Sequence, residues 1–118
     1  MSEATLPRRA RLRIRPEFDR VFAARQTVSD RYFRIHWAET PESADHGPRI
    51  GLAIAKRVAR RAVDRNRLRR LARETFRLRR PGLRALDFVL LARPAAIEAD
   101  NRTLRQSLDQ LWFRFETR

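Results

Sequence analysis

Two histidines, His36 and His46, are the side chains best placed to exchange protons near neutral pH, and the chain has no cysteine to act as a thiol nucleophile or metal ligand. A histidine pair serving as general acid and base would make a nuclease. His46 falls in a Gly/Pro loop and His36 in an alternating segment, however, and nothing in their spacing makes them converge. No carboxylate pair has the spacing of a two-metal nuclease, and the phosphate-binding pattern GxxxxGK[ST] is missing. The chemistry this sequence concentrates is of another kind. Residues 56–80 carry 12 basic and 2 acidic side chains, a net of +10, whereas the rest of the chain carries 16 and 12.

Those cations have a helical arrangement. With Asn66 at the origin of a wheel of 100° per residue, Leu68, Leu71, Ala72, Thr75 and Leu78 fall between roughly 120° and 240°. Arg69, Arg70, Arg73, Arg77 and Arg80 fall within about 60° of Asn66. One face is expected to bury, and the other to present a guanidinium stripe about 20 Å long at 1.5 Å of rise per residue. Asp64 and Glu74 are the only acids within the segment, too few to neutralise the stripe by i±4 pairing. A polyanion is the expected partner, because the guanidinium fork matches phosphate oxygens two at a time and stacks on bases.

The elements that must hold this helix are legible on either side. Pro16 stands at a helix start, followed by Phe18, Val21 and Phe22 at i, i+3 and i+4. From the residues alone, Phe18 and Phe22 read as core anchors. In "RYFRIHWAE", Phe33, Ile35 and Trp37 alternate with Tyr32, Arg34 and His36, which predicts a strand with two distinct faces. Residues 40–48 read as a loop. "RIGLAIAKR" then alternates Ile50, Leu52 and Ile54 with small residues, and antiparallel pairing of these two strands is the simplest expectation. Pro81 and Gly82 stop the basic helix, "LDFVLLARP" reads as an interior strand, and Leu104, Leu108, Leu111, Trp112 and Phe115 form one stripe of a final helix. A further short strand is expected near residue 57. Trp37, Trp112 and Phe115 read as core, Phe113 and Arg114 as exposed, and Asp87 and Glu74 as structural ion-pair partners.

A length of 118 residues bounds the chain to one domain, 1–118, with residues 1–13 expected as a basic, mobile lead. The class is α+β, helices on a small sheet. The net charge of +14 and pI near 11.8 favour nucleic acid over an anionic membrane. No apolar stretch approaches eighteen residues and the N-terminal segment lacks a secretory apolar core, so a soluble, cytoplasmic protein is expected.

"AKRVARRAVDRNRLRRLARETFR", residues 55–77, resembles the arginine-rich signature of the bacterial ribonuclease P protein component. Its elements stand here as Lys56, Ala62, Arg65-Asn66-Arg67, Arg69-Arg70, Arg73-Glu74 and Phe76-Arg77. "RLR" at residues 11–13, "EFDRVF", "RIGLAIAKR" and "DFVLLARP" extend the likeness from about Leu6 to Phe115. The resemblance implies an αβββαβα order, a small mostly antiparallel sheet and a left-handed βαβ crossover, the ribosomal protein S5 domain 2-like fold. It implies a protein cofactor that promotes removal of the 5′ leader from precursor tRNA by a catalytic RNA, one protein per RNA. Magnesium would sit on the RNA, with no small-molecule cofactor, no membrane and no catalytic residue in this chain. It assigns Lys56, Arg57, Arg60, Arg61, Arg65, Asn66, Arg67, Arg69, Arg70, Arg73 and Arg77 to the catalytic RNA. To a leader cleft it assigns Arg11, Arg13, Phe18, Phe22, Tyr32, Arg34 and His36, with His36 where the family commonly has an aromatic ring.

Two rival classes remain open on the residues. One is a stand-alone basic module that binds RNA, the ribosome or a DNA groove. The other is a self-sufficient endoribonuclease, which would cleave without any RNA partner.

Overall fold

The computed structural model describes residues 6–41 and 47–117. In chain order the elements are α1 (Arg15–Ala23), β1 (Gln26–Ser29), β2 (Phe33–Glu39), β3 (Arg49–Leu52), α2 (Ala62–Arg79), β4 (Leu86–Ala92), the single turn α3 (Ala95–Glu98) and α4 (Asn101–Phe113). Apart from α3, this is the expected αβββαβα order.

The sheet runs β1-β2-β4-β3. β4 is antiparallel to β2 and parallel to β3, so β3–α2–β4 is a crossover unit with the basic helix as its connection. The expected pairing of β2 with β3 is corrected, because β4 lies between them. The reason is compositional: β4 is apolar on both faces and therefore takes the centre, where both faces are covered. The third strand is also relocated. It is β1, pairing Gln26 with Trp37 through Ser29 with Arg34, whereas residues 56–58 form a turn.

One sheet face carries the principal core. Phe33, Ile35, Phe88 and Leu90 meet Leu68, Leu71 and Phe76 of α2 and Leu104, Leu108 and Trp112 of α4, all fully buried. Trp112 stacks edge-on against Phe76 and Phe88, and its indole N–H donates to Thr75 Oγ1 at 3.0 Å, which satisfies the one polar atom it buries. Phe115 is buried and Phe113 exposed, as expected, while Trp37 is half-buried against Phe115.

The α2 face is rotated from its expected position. Leu78 is 68% exposed and Phe76 takes its place, because its ring packs edge-on against both Phe88 and Trp112. The expectation of a mobile lead through residue 13 is also corrected for residues 6–13. Leu6, Ala10 and Leu12 are buried, Arg8–Ala10 form a 3-10 turn, and the Leu12 N–H donates to Ile50 O at 2.8 Å. Apolar side chains alternating with arginines let this segment run along the edge of β3.

Candidate nucleic-acid interface

The second sheet face is only partly covered. Registered rows Thr27–His36–Val89–Gly51 and Ser29–Arg34–Leu91 lie on it, because residues two apart on a strand share a face. α1 crosses one end of this face and buries Val21 against Val89, Ala38 and Leu12. Phe18 and Phe22 pack on the same cluster without being buried. The result is a cleft between α1 and the open part of the sheet.

Two contacts set the rings of this cleft. Phe22 meets His36 edge to face, with ring centroids 4.8 Å apart. Phe18 lies against Gly51, where an added Cβ would come within 2.6 Å of Phe18 Cζ. His36 is pushed below its ordinary pKa by burial, and further by the positive charge of Arg34. Its neutral ring is an aromatic surface for stacking.

An ion cluster fixes the covered end. Asp87, fully buried on β4, accepts from Arg49 Nε and Nη2 and from Arg20 of α1. Arg49 also faces Glu17 at 3.5 Å, and Glu17 Oε1 accepts the N–H groups of Arg13 and Ile14 at the start of α1. Burial pushes Glu17 up, but those two N–H groups and Arg49 outweigh it and hold the carboxyl below its usual value. Asp87 is thus the ion-pair partner expected of it, and it clamps α1 to two strands.

Tyr32 does not join the cleft. It precedes β2 in a turn closed by Asp30 Oδ1, which accepts the N–H groups of Tyr32 and Phe33. The strand alternation does not yet act on it, and its ring packs against the principal core beside Pro94 and Ala99. Arg34 is exposed on the cleft face, as expected.

The basic segment divides into cations turned outward and cations used within the fold. Asn66, Arg70 and Arg73 are exposed on α2, and Lys56, Arg57, Arg60 and Arg61 are exposed before it. Arg67 points the other way: its guanidinium donates to Ile97 O, Ala99 O and Asn101 Oδ1 and ties α2 to the segment joining α3 and α4. Arg65 donates to Ala59 O and Arg60 O, both at 2.8 Å, closing the turn before the helix. Arg69 and Arg77 are partly buried. Glu74 pairs with Arg70 at 3.6 Å and Arg105 at 3.0 Å, so it is a structural partner as expected.

Arg69 and Arg73 of α2 line a groove of about 270 Å³ together with Arg11, Arg13 and Phe18. Members of the two residue sets that the resemblance assigns to the catalytic RNA and to the leader therefore meet over β3. His46 lies outside the described residues, and among those described no three His, Asp or Glu side chains gather where a metal could be held.

Sequence reasoning missed Gly51, Arg20 and Arg49. A glycine inside an alternating strand is a signal of close approach and pointed to the first. No local pattern pointed to the arginines, whose partner is 67 residues from one and 38 from the other.

The "Ribonuclease P" family model matches residues 6–116. The chain is 43% identical over 112 residues to the ribonuclease P protein component of Halorhodospira halophila, covering 94% of this chain and 89% of that one. It is 41% identical over 114 residues to the protein of the same name from Escherichia coli, covering 97% and 93%. Among solved structures it is similar to the RNase P protein of Staphylococcus aureus, with a TM-score of 0.80 at 25% identity over 89% of this chain and 93% of that one. The Thermotoga maritima RNase P protein superposes with a TM-score of 0.76 at 26% identity, over 91% and 98%.

Proposed function

The chain belongs to the ribonuclease P protein family, and on that premise we propose that it is the protein subunit of an endoribonuclease that removes the 5′ leader of precursor tRNA. The partner is the ribonuclease P RNA, which supplies the catalysis together with its magnesium ions, in a one-to-one cytoplasmic complex. The observation that carries this reading is the two-faced α2. It buries Leu68, Leu71, Ala72 and Phe76 and turns Arg70 and Arg73 outward, with Glu74, among the described residues, the sole carboxylate in ion-pair contact with that face. A self-repelling array of this kind is relieved by the phosphates of a folded RNA.

The protein's part is binding and orientation. Asn66, Arg69, Arg70 and Arg73 contact the catalytic RNA, with Lys56, Arg57, Arg60 and Arg61 extending the basic surface. Phe18, Phe22, His36 and Arg34 line the path of a single-stranded leader, where stacking on an aromatic ring contributes about 1–3 kcal/mol per base. Binding energy from a leader that the mature product lacks raises affinity for precursor over product.

Cleavage of precursor tRNA at low magnesium tests this with catalytic RNA alone, protein alone and both. Cleavage that requires the RNA and rises sharply with the protein is expected. Cleavage by protein alone would replace this reading with a self-sufficient nuclease.

A further inference from the structure

We propose that Arg11, Arg69 and Arg73 together bind one RNA phosphodiester, at the junction where the α2 stripe runs into the cleft beside α1. The proposal rests on the reading of the chain as an RNA-binding subunit and adds the point at which its two surfaces become one path.

Three observations support a shared anion. Arg11 reaches the groove from the N-terminal segment that runs along the edge of β3, and Arg69 and Arg73 reach it from α2. Among the described residues no carboxylate lines the groove, and the carboxylates of Glu74 and Glu17 are engaged by other arginines, Glu74 by Arg70 and Arg105 and Glu17 by Arg49. Although Arg73 is exposed overall, desolvation where its guanidinium lines the groove, then the positive charges of Arg11 and Arg69, push it below its ordinary pKa. Like charges brought together from 58 and 62 residues away repel one another in the free protein.

The donor geometry points the same way. Arg11 Nη2 donates to Leu6 O at 2.9 Å, while its Nε is buried and has no acceptor among the described residues. A buried donor without a partner is costly, and a shift of the Arg11 side chain toward an oxyanion in the groove would give its Nε one. A phosphodiester has one negative charge and two free oxygens, enough to engage more than one guanidinium. Phe18 lines the same groove, so a nucleotide held by its phosphate would have a ring beside its base.

The phosphate could come from the catalytic RNA or from the leader, and a double-mutant cycle in the full-length protein separates them. Arg11→Gln, Arg73→Gln and the double variant are compared for affinity to the catalytic RNA, then, in the assembled holoenzyme, for preference of precursor over mature tRNA. Arg11→Gln with Arg70→Gln is the control cycle. Each single variant is expected to lose about tenfold, and the double variant no more than about threefold beyond the weaker single, because both arginines hold one group. The salt slope should fall by about one phosphate in singles and double alike. Arg11→Lys and Arg73→Lys should recover that slope but not the full affinity.

Non-additivity in the binary complex assigns the phosphate to the catalytic RNA. Non-additivity only in precursor preference assigns it to the leader. Multiplying losses in both arms, or no loss, overturns the site. Thermal melts identify any variant that loses affinity by unfolding, and the Lys pair then carries the cycle. If the wild-type protein shows no salt-dependent binding to the catalytic RNA, the functional reading itself fails, a result distinct from either.

Discussion

Asp87 and Arg49 stand directly opposite each other on the parallel strands β4 and β3, and the buried carboxylate accepts Arg49 Nε at 2.9 Å and Nη2 at 2.6 Å. Arg20 of α1 completes the cluster from above. Removing one member strands a charge in a site closed to solvent. Asp87→Ala should therefore destabilise the fold by about 3–5 kcal/mol, read as a lower urea midpoint. Arg49→Met with Asp87→Leu should recover most of that loss, since apolar replacement removes the buried pair's desolvation cost and the partly exposed Arg20 can turn to solvent.

Gly51 leaves the space that the ring edge of Phe18 occupies. Gly51→Ala should displace that ring, the flexible end of a side chain, at a stability cost of about 1 kcal/mol. Preference for precursor over mature tRNA should fall toward the value for Phe18→Ala, about fivefold or more if one stacked base is lost. An unchanged preference with Phe18→Ala impaired would show that the ring adjusts in place.

Arg67 and Arg70 are three residues apart on one helix and have different tasks. Arg67 serves backbone carbonyls between α3 and α4, whereas Arg70 is exposed beside Glu74. Arg67→Ala should lower stability by about 1.5–3 kcal/mol through lost charge-assisted bonds. Arg70→Ala should leave the melting temperature nearly unchanged and weaken binding to the catalytic RNA. Chemical denaturation and filter binding, run on both variants, distinguish the two roles.

His36 makes the free protein sensitive to mild acid. Its folded pKa is below the ordinary 6.5, so the unfolded chain takes up a proton first. The contribution to stability is whole above about 6.5 and is lost as pH falls through the folded value. The Glu17 and Asp100 carboxyls, both lowered, act only below their ordinary values of 4.5 and 3.8. The urea midpoint of the wild type should therefore decline between pH 7 and pH 5, and that of His36→Phe should decline less.

Arg25 ends α1 with φ at 56°, the left-handed region that glycine adopts without strain. Arg25→Gly should stabilise the free protein by about 0.5–1 kcal/mol, the relief of strain exceeding the added entropy of the unfolded chain. A thermal melt checks the sign, since a loss of stability would show that the arginine side chain holds the turn.

Elements whose signals are local are legible in the order of residues alone. The α2 and α4 stripes, the interior character of β4 and the exposed arginines of the basic helix follow from repeats of 3.6 and 2 residues. Burial then acts on each segment in the same way wherever it is placed. Phe76 in place of Leu78, Tyr32 on the core side and the docked segment 6–13 are not legible in that way. Each depends on which partner surface is available: the paired rings of Phe88 and Trp112, the turn at Asp30, the free edge of β3.

By itself the sequence determined α1, β2, β3, α2, β4 and α4 in their order, the concentration of positive charge on one helix and, through the "RNR" signature, the family. Tertiary structure alone decided that β4 separates β2 from β3, that Asp87 gathers Arg20 and Arg49, and that Arg11 meets Arg69 and Arg73. Strand order and ion clusters are set by competition for burial and for partners among residues far apart in the chain. Periodicity within a single segment carries no record of that competition.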